Sequence, residues 1–106
     1  MLRNTTGNDT KPSAFLYKTD FSVEKIWPTN GRYFKLDEMQ AYIGGLIQII
    51  PLDGDGLEDK LLVVHEEGKL INLPFNFLAT LECVRYYGET DYVSGAAIIC
   101  HPDLIR

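Results

Sequence analysis

The sequence predicts a single α+β domain, residues 14–106, in which a largely antiparallel sheet is covered by two short helices on one face, in the order ββαβββαβ. Three observations support this prediction. The apolar segments are short and often alternate with polar residues, Gly, Pro and Asn separate them, and two segments have helical periodicity. The length of 106 residues and the hydrophobic content of 45% suit one soluble globular domain.

Residues 1–13 are predicted to form a flexible tail. Met1 and Leu2 are their only large apolar residues, which is too few to offset the entropy cost of ordering the segment. The tail also lacks the apolar core of a signal peptide, and no later segment approaches the roughly 20 apolar residues that span a membrane. We therefore expect a cytoplasmic protein that is neither secreted nor inserted in a membrane.

The domain is predicted to begin with two strands, residues 14–18 and 21–27. We expect them to pair across a turn at Thr19 and Asp20. Pro28 ends the second strand because proline removes a backbone hydrogen-bond donor.

The first helix is predicted at residues 36–45. Leu36, Met39 and Ile43 form its inner face at helical spacing, and two glycines end it. Gln40 lies near that inner face, where a half-buried amide needs partners. It either binds backbone groups at the junction with the next strand or faces a pocket.

Residues 46–51 form an apolar, β-branched run that is typical of a central strand. Gln48 interrupts this run, and the same two interpretations apply to it as to Gln40.

The acidic loop at residues 53–59 has the composition of a calcium site but not its spacing. Aligning Gly56 with the glycine that an EF-hand loop requires puts Pro51 at the first ligand position and Leu62 at the position of the bidentate glutamate. We therefore predict a solvated acidic turn and no metal site.

Residues 61–66 and 69–74 are predicted to form a hairpin. Two apolar runs flank Gly68, which can adopt a positive φ and close the turn. His65 then shares a face with Val63.

The second helix is predicted between Asn76, which suits an N-cap, and Gly88, which suits a C-terminal stop. We expect its inner face to hold Phe77, Leu81 and Val84, and its outer face to hold Glu82 and Tyr86.

The chain is predicted to end in an apolar strand, residues 91–100, in which Gly95 marks a bulge or the close approach of another element. Cys100 lies in this strand and Cys83 in the preceding helix, without the spacing of a zinc site. We predict two buried free thiols, with a disulfide or a reactive thiol as the alternatives.

The polar residues in and near the predicted hairpin are the candidates for a functional site. Position 69 is Lys, so His65 does not begin a helical zinc motif, and no recognisable motif places a nucleophile beside it. We therefore predict no catalytic residue and no cofactor. The tentative binding residues are Gln40, Gln48, His65, Glu66, Glu67, Asn72 and Asn76.

The formal net charge of −5 argues against direct contact with nucleic-acid phosphates. A protein partner or a small molecule fits better. The uncovered face of the sheet is expected to carry aromatic residues and to form a homodimer interface. These residues are Trp27, Tyr33, Tyr42 and Tyr92.

Several motifs together resemble a small uncharacterised domain family of bacteria, phages and plasmids, a domain of unknown function. They are a helix ending IGG followed by the strand IQII, the segment HEEGKLINLPFN leading into a helix, and a late DYVSG strand. The family pattern has a GG-x-I-E strand start and an N-E-E-G-K hairpin leading to L-P-x-N, and the resemblance covers residues 24–100. This sequence has Gln48 where the family usually has Glu and His65 where it usually has Asn. The resemblance implies an association with mobile elements and supplies no catalytic residues.

These observations predict a small non-enzymatic binding protein, encoded by a phage or mobile element and acting on a host factor. The alternative is a small hydrolase or nucleotide-processing enzyme that uses His65, Glu66 and Glu67. DNA mimicry by the acidic surface and a purely structural role are two further alternatives.

Overall fold

The computed structural model describes residues 13–54, 56–88 and 92–105. Apart from Ser13, the predicted tail lies outside the described residues. The elements, in chain order, are β1 (Ala14–Tyr17), β2 (Val23–Ile26), α1 (Leu36–Ile43), β3 (Ile47–Leu52), β4 (Lys60–His65), α2 (Phe77–Tyr87), β5 (Ala97–Cys100) and a short 3-10 helix (Pro102–Leu104).

The five strands form one sheet in the order β2-β1-β5-β4-β3, and every pair of neighbours is antiparallel. The α+β fold class and the pairing of the first two strands are thereby confirmed. The last strand in sequence, β5, lies at the centre of the sheet. The prediction of a central strand at residues 46–51 was wrong, because β3 is an edge strand whose neighbour in the sheet is β4.

The two helices cover opposite faces of the sheet, which corrects the prediction of a single covered face. Val63 of β4 packs in one buried cluster with Met39 and Ile43 of α1. Its neighbour Leu62 packs in a second cluster with Cys83 of α2. Successive residues of a strand point to opposite faces, so the two clusters lie on the two sides of the sheet. The sequence signal is the unbroken apolar run of β4 and β5, as expected for strands buried on both faces.

The helix ends follow the predicted local rules, whereas the helix faces do not. Asn76 and Gly88 cap α2 as predicted, and Gly44 ends α1 in a left-handed conformation. On α1, Leu36 is exposed although Met39 and Ile43 are buried. On α2 the predicted inner residues are exposed, and the buried residues are instead the small ones, Ala79 and Cys83.

The predicted hairpin strand at residues 69–74 is replaced by turns. Residues 66–72 form successive turns, and β4 pairs with β3 and β5. Asn72 adopts a φ of 59°, which a strand does not allow. The predicted order ββαβββαβ is kept, with the third β element between the two helices present as an isolated bridge between Phe75 and Ser94.

Candidate functional site

A cleft of about 470 Å³ lies between the α2 face of the sheet and the turns that follow β4. Four apolar side chains of β3 and β4 form its floor: Ile50, Leu52, Leu62 and Val64. Cys83 and Tyr87 of α2 form one wall, and Tyr92, Val93 and Ser94 form another. The rim is polar and includes Gln48, Glu66, Glu67 and Lys69. The cleft is thus an apolar basin with polar groups at its opening.

The size of the side chains on α2 explains why a cleft forms here. Cys83 is a small residue on the inner face of the helix, so it leaves space above Leu62 and Val64. The C-terminal turn of α2 is held in place by its two tyrosines. The Tyr87 hydroxyl donates to the carbonyl of Pro51, and the Tyr86 hydroxyl donates to the carbonyl of Glu58 at 2.7 Å. The Tyr87 bond ties the helix end to β3 beside the cleft that Tyr87 lines, and the Tyr86 bond ties it to the loop before β4.

The structure brings four of the seven tentative binding residues to the cleft, namely Gln48, His65, Glu66 and Glu67. Two of them are carboxylates, and Lys69 is the described rim residue of opposite charge. The Lys69 ammonium lies 4.6 Å from the centre of the Tyr92 ring, a cation–π distance. The rim is therefore acidic on balance.

The other three tentative residues lie elsewhere. Gln40 is on α1, on the opposite face of the sheet from the cleft, and it is half-buried. Asn72 is exposed in a turn whose left-handed backbone favours asparagine. Asn76 is fully buried, and its side chain caps α2 by accepting a hydrogen bond from the Ala79 amide.

The imidazole of His65 is engaged in local structure. Its Nδ1 accepts a hydrogen bond of 3.0 Å from the backbone N–H of Glu67. Its Nε2 lies against Gly45, where an added Cβ would come within 2.5 Å of that nitrogen. The ring therefore stabilises the turn after β4 and packs against the end of α1.

Cys83 is the thiol in the cleft, and burial raises its pKa, with a smaller contribution from the Glu82 carboxylate. Burial likewise raises the pKa of Cys100 to about 11. Both cysteines are buried free thiols, as predicted. A thiol that stays protonated at neutral pH is a weak nucleophile, so Cys83 contributes to the cleft through its size and its apolar surface.

The predicted aromatic face is not formed. Tyr42 packs against the α1 cluster, whereas Tyr92 lines the cleft on the opposite face of the sheet. A different set of exposed aromatic rings forms a continuous row beside the cleft, with centroids 5.8 to 6.3 Å apart. Its members are Phe21, Phe77, Phe75 and Tyr92.

A second depression, of about 320 Å³, lies between β1, β5 and the side of α2 that carries Glu82, Arg85 and Tyr86. Its charged side chains are already paired, since Arg85 contacts Glu82 and Lys60 contacts Glu58. It is the weaker candidate for a binding site.

Sequence reasoning missed Ile50, Tyr87 and Tyr92 as residues of the site. The sequence of β3 does not alternate between apolar and polar residues, so it does not mark Ile50 as a cleft residue, and the two tyrosines reach the cleft through long-range packing, Tyr87 from α2 and Tyr92 from the segment before β5. Across the part of the chain that the structure describes, no three His, Cys, Asp or Glu side chains are grouped so as to hold a metal ion. The same residues contain no helix with the length and apolarity that crossing a membrane requires.

Comparison with known proteins places the chain in a family. A search of curated proteins and a search of solved structures each returned no significant match. A family model matches residues 14–104, which is nearly the whole of the described domain. The chain therefore belongs to the family described as a domain of unknown function, DUF3846.

Proposed function

We propose that this protein is a non-enzymatic binding protein whose cleft takes a small, largely apolar molecule that is neutral or positively charged. The main support for this proposal is the form of the cleft. Its volume of about 470 Å³ is in the range of small-molecule sites, and it combines an apolar floor with a few polar rim groups. A protein of phage or mobile-element origin with a host-factor target remains a prediction from the sequence resemblance.

The charge preference follows from the rim. The described rim has two carboxylates, those of Glu66 and Glu67, and one ammonium, that of Lys69. The chain as a whole carries a formal charge of −5. An anionic ligand would meet unfavourable electrostatics at the opening, whereas a cation would be attracted.

Two contacts favour binding over hydrolysis. The Nδ1 atom of His65 accepts the Glu67 amide, and the pKa of the Cys83 thiol is raised by burial. A general base needs a nitrogen directed at the proton that it removes, and a thiol nucleophile needs to ionise. The Nδ1 atom of His65 is thus engaged in the turn, and the Cys83 thiol is held neutral.

The test is a methyl NMR titration of the full chain with three probes of similar size: phenethylamine, phenethyl alcohol and phenylacetate. We expect saturable shifts of the Ile50, Leu62 and Val64 methyl groups. Affinity should decrease from the amine to the alcohol to the carboxylate, by roughly threefold per step for one net rim charge in water. Absence of a saturable shift with all three probes would overturn the proposal.

Two neighbouring residues of β3 provide a matched pair of variants. Ile50 faces the cleft, and Ile49 faces the opposite side of the sheet. The Ile50→Phe variant should fill the cleft and weaken phenethylamine binding at least tenfold, whereas Ile49→Phe, which keeps an apolar side chain on the other face of β3, should bind like the parent. Equal affinities in the two variants would place the probe outside the cleft.

A further inference from the structure

We infer that the outer edge of β3 is the contact surface for a second copy of this chain, and that pairing of two β3 strands completes the cleft. Among the described residues, β3 has β4 as its neighbour in the sheet and an open edge on its other side. The part of the inference that concerns the cleft rests on the proposed function, whereas the strand pairing does not.

The two edges of the sheet differ in a way that singles out β3. The β2 edge is four residues long and carries Glu24 and Lys25, and Glu24 forms a salt bridge with Lys18. Such charges on a short strand are how proteins prevent edge-to-edge pairing. The six residues of β3, Ile47–Leu52, contain no charge. An edge of this kind is a template for another strand.

Hydrogen bonding to β4 determines which backbone groups face outward. The N–H of Glu66 donates to the carbonyl of Leu46 at 2.8 Å, so these two residues form a hydrogen-bonded pair. Alternation then directs the backbone groups of Gln48 and Ile50 toward β4 and those of Ile47 and Ile49 outward.

The outward groups extend along only part of the strand. Pro51 is also directed outward but has no N–H, and its carbonyl accepts the Tyr87 hydroxyl. The open donors and acceptors are therefore the N–H and C=O groups of Ile47 and Ile49.

These groups are complementary to themselves. When Ile47 lies opposite the partner's Ile49 in an antiparallel pair, the symmetric contact forms as well, and four hydrogen bonds satisfy all the outward groups. Gln48 then lies on the two-fold axis opposite the partner's Gln48. The isoleucines meet on the α1 face of the sheet, as apolar cross-strand pairs.

The same register adds a residue to the cleft. Leu46 is 56% exposed, and alternation along the strand puts it on the same face as Gln48 and Ile50, which line the cleft. In the paired strands Leu46 stands opposite the partner's Ile50, and Ile50, which lines the cleft, stands opposite the partner's Leu46. Pairing thus covers Leu46 and extends the apolar floor of each cleft.

Net charge also limits where two copies of this chain can meet. Each chain carries a formal charge of −5, so most approaches of two copies bring like charges together. Contact along β3 brings together two strands without charged residues. The strand is therefore the place where two acidic copies can meet at the lowest electrostatic cost.

Disulfide trapping tests the pairing in the full chain. A Gln48→Cys variant places two thiols across the two-fold axis, within reach of a disulfide. We expect it to form a covalent dimer on mild oxidation. The matched control is Leu46→Cys, whose thiols lie roughly 14 Å apart in the same register. The proposed pairing would be overturned if the control cross-linked as fast as Gln48→Cys, or if neither variant cross-linked.

Sedimentation provides the second measurement. The parent chain, of 12.0 kDa, should approach twice that mass as its concentration rises. Ile49→Lys places a charge on the β3 edge and should remain monomeric, whereas Val23→Lys on the other edge should behave like the parent. A parent that stays monomeric at every concentration, or an Ile49→Lys variant that dimerises like the parent, would contradict the pairing.

Phenethylamine binding to Ile49→Lys tests the cleft part separately. We expect affinity at least about threefold below that of the parent, because the partner's Leu46 no longer contributes apolar surface. Equal affinity would overturn the shared cleft and leave the proposed function intact. If the parent itself does not bind the probe, the proposed function and the shared cleft both fail, and the Gln48→Cys result still decides the pairing.

Discussion

The side-chain amide nitrogen of Asn76 donates a hydrogen bond of 2.9 Å to the backbone carbonyl of Tyr17, which lies 59 residues earlier in the chain. The same nitrogen donates to the carbonyl of Gly95 at 2.8 Å, and Oδ1 accepts from the Ala79 amide at 3.0 Å. One buried amide thus joins the end of β1, the start of α2 and the segment before β5. An N-cap requires only an acceptor, but this position requires a donor as well.

The Asn76→Asp substitution should destabilise the fold by about 3 kcal/mol or more. Aspartate preserves the capping acceptor but leaves two carbonyls without a donor and places a carboxylate beside them. Chemical denaturation at neutral pH measures the change. Asn72→Gly is the control, because it removes an exposed asparagine at a backbone conformation that glycine tolerates, and it should change stability by less than about 0.5 kcal/mol. An Asp variant as stable as the parent would show that the two carbonyls do not depend on Asn76.

Asn76 and Gly88 illustrate what the sequence could predict about the fold. A helix end depends on a few adjacent residues, so local rules located both ends of α2. The face that α2 buries depends on how closely the helix approaches the sheet. Ala79 is small and allows a close approach, Cys83 is small and leaves the space of the cleft, and the larger apolar residues beside them remain exposed. Hydrophobic periodicity gives these small residues less weight than the large ones.

Gly95 should not tolerate a side chain. It has a φ of 85°, and a Cβ there would come within 2.7 Å of Leu73 Cδ1. Backbone strain in Gly95→Ala should cost about 1–2 kcal/mol, and the clash with Leu73 should add to it. In a double-mutant cycle with Leu73→Ala, the combined loss of stability should be smaller than the sum of the two single losses, because the clash is relieved. Strict additivity would mean that Leu73 moves aside at no cost.

The cleft could be predicted only in part. Gln48, Glu66 and Glu67 can be recognised in the sequence as polar residues in or beside apolar strands, and all three line the rim. Tyr87 and Tyr92 come from separate elements and reach the cleft through long-range packing, which leaves no local pattern in the sequence.

Stability should decline with rising pH because of the Cys100 thiol. Burial raises its pKa from an ordinary value near 9 to about 11. Between these values the unfolded chain has lost the thiol proton that the folded chain retains, so the stabilisation is complete below about pH 9 and is lost as the pH approaches 11. The loss attributable to Cys100 is at most roughly 2–3 kcal/mol. Burial also raises the pKa of Tyr17, which adds to the decline in the same direction.

Denaturant unfolding of the parent and of Cys100→Ala between pH 8 and 10.5 measures how much the Cys100 thiol contributes to the pH dependence of the free energy of unfolding. We expect the variant to be less stable at pH 8, because a buried sulfur is lost, and to decline less steeply with pH. Cys83→Ala should flatten the curve less, because only the Cys100 thiol has the larger shift, to about 11. Parallel curves for the parent and Cys100→Ala would show that the Cys100 thiol does not contribute to the pH dependence.

His65 should be replaceable by asparagine but not by alanine. Its Nδ1 accepts the N–H two residues later, as His101 Nδ1 accepts the Asp103 N–H, and an asparagine side chain forms the same type of turn. We expect His65→Asn to remain within about 0.5 kcal/mol of the parent and His65→Ala to lose about 1 kcal/mol. Thermal unfolding, together with the phenethylamine titration, checks both variants. If His65→Asn were as stable as the parent but no longer bound phenethylamine, the imidazole itself would take part in binding.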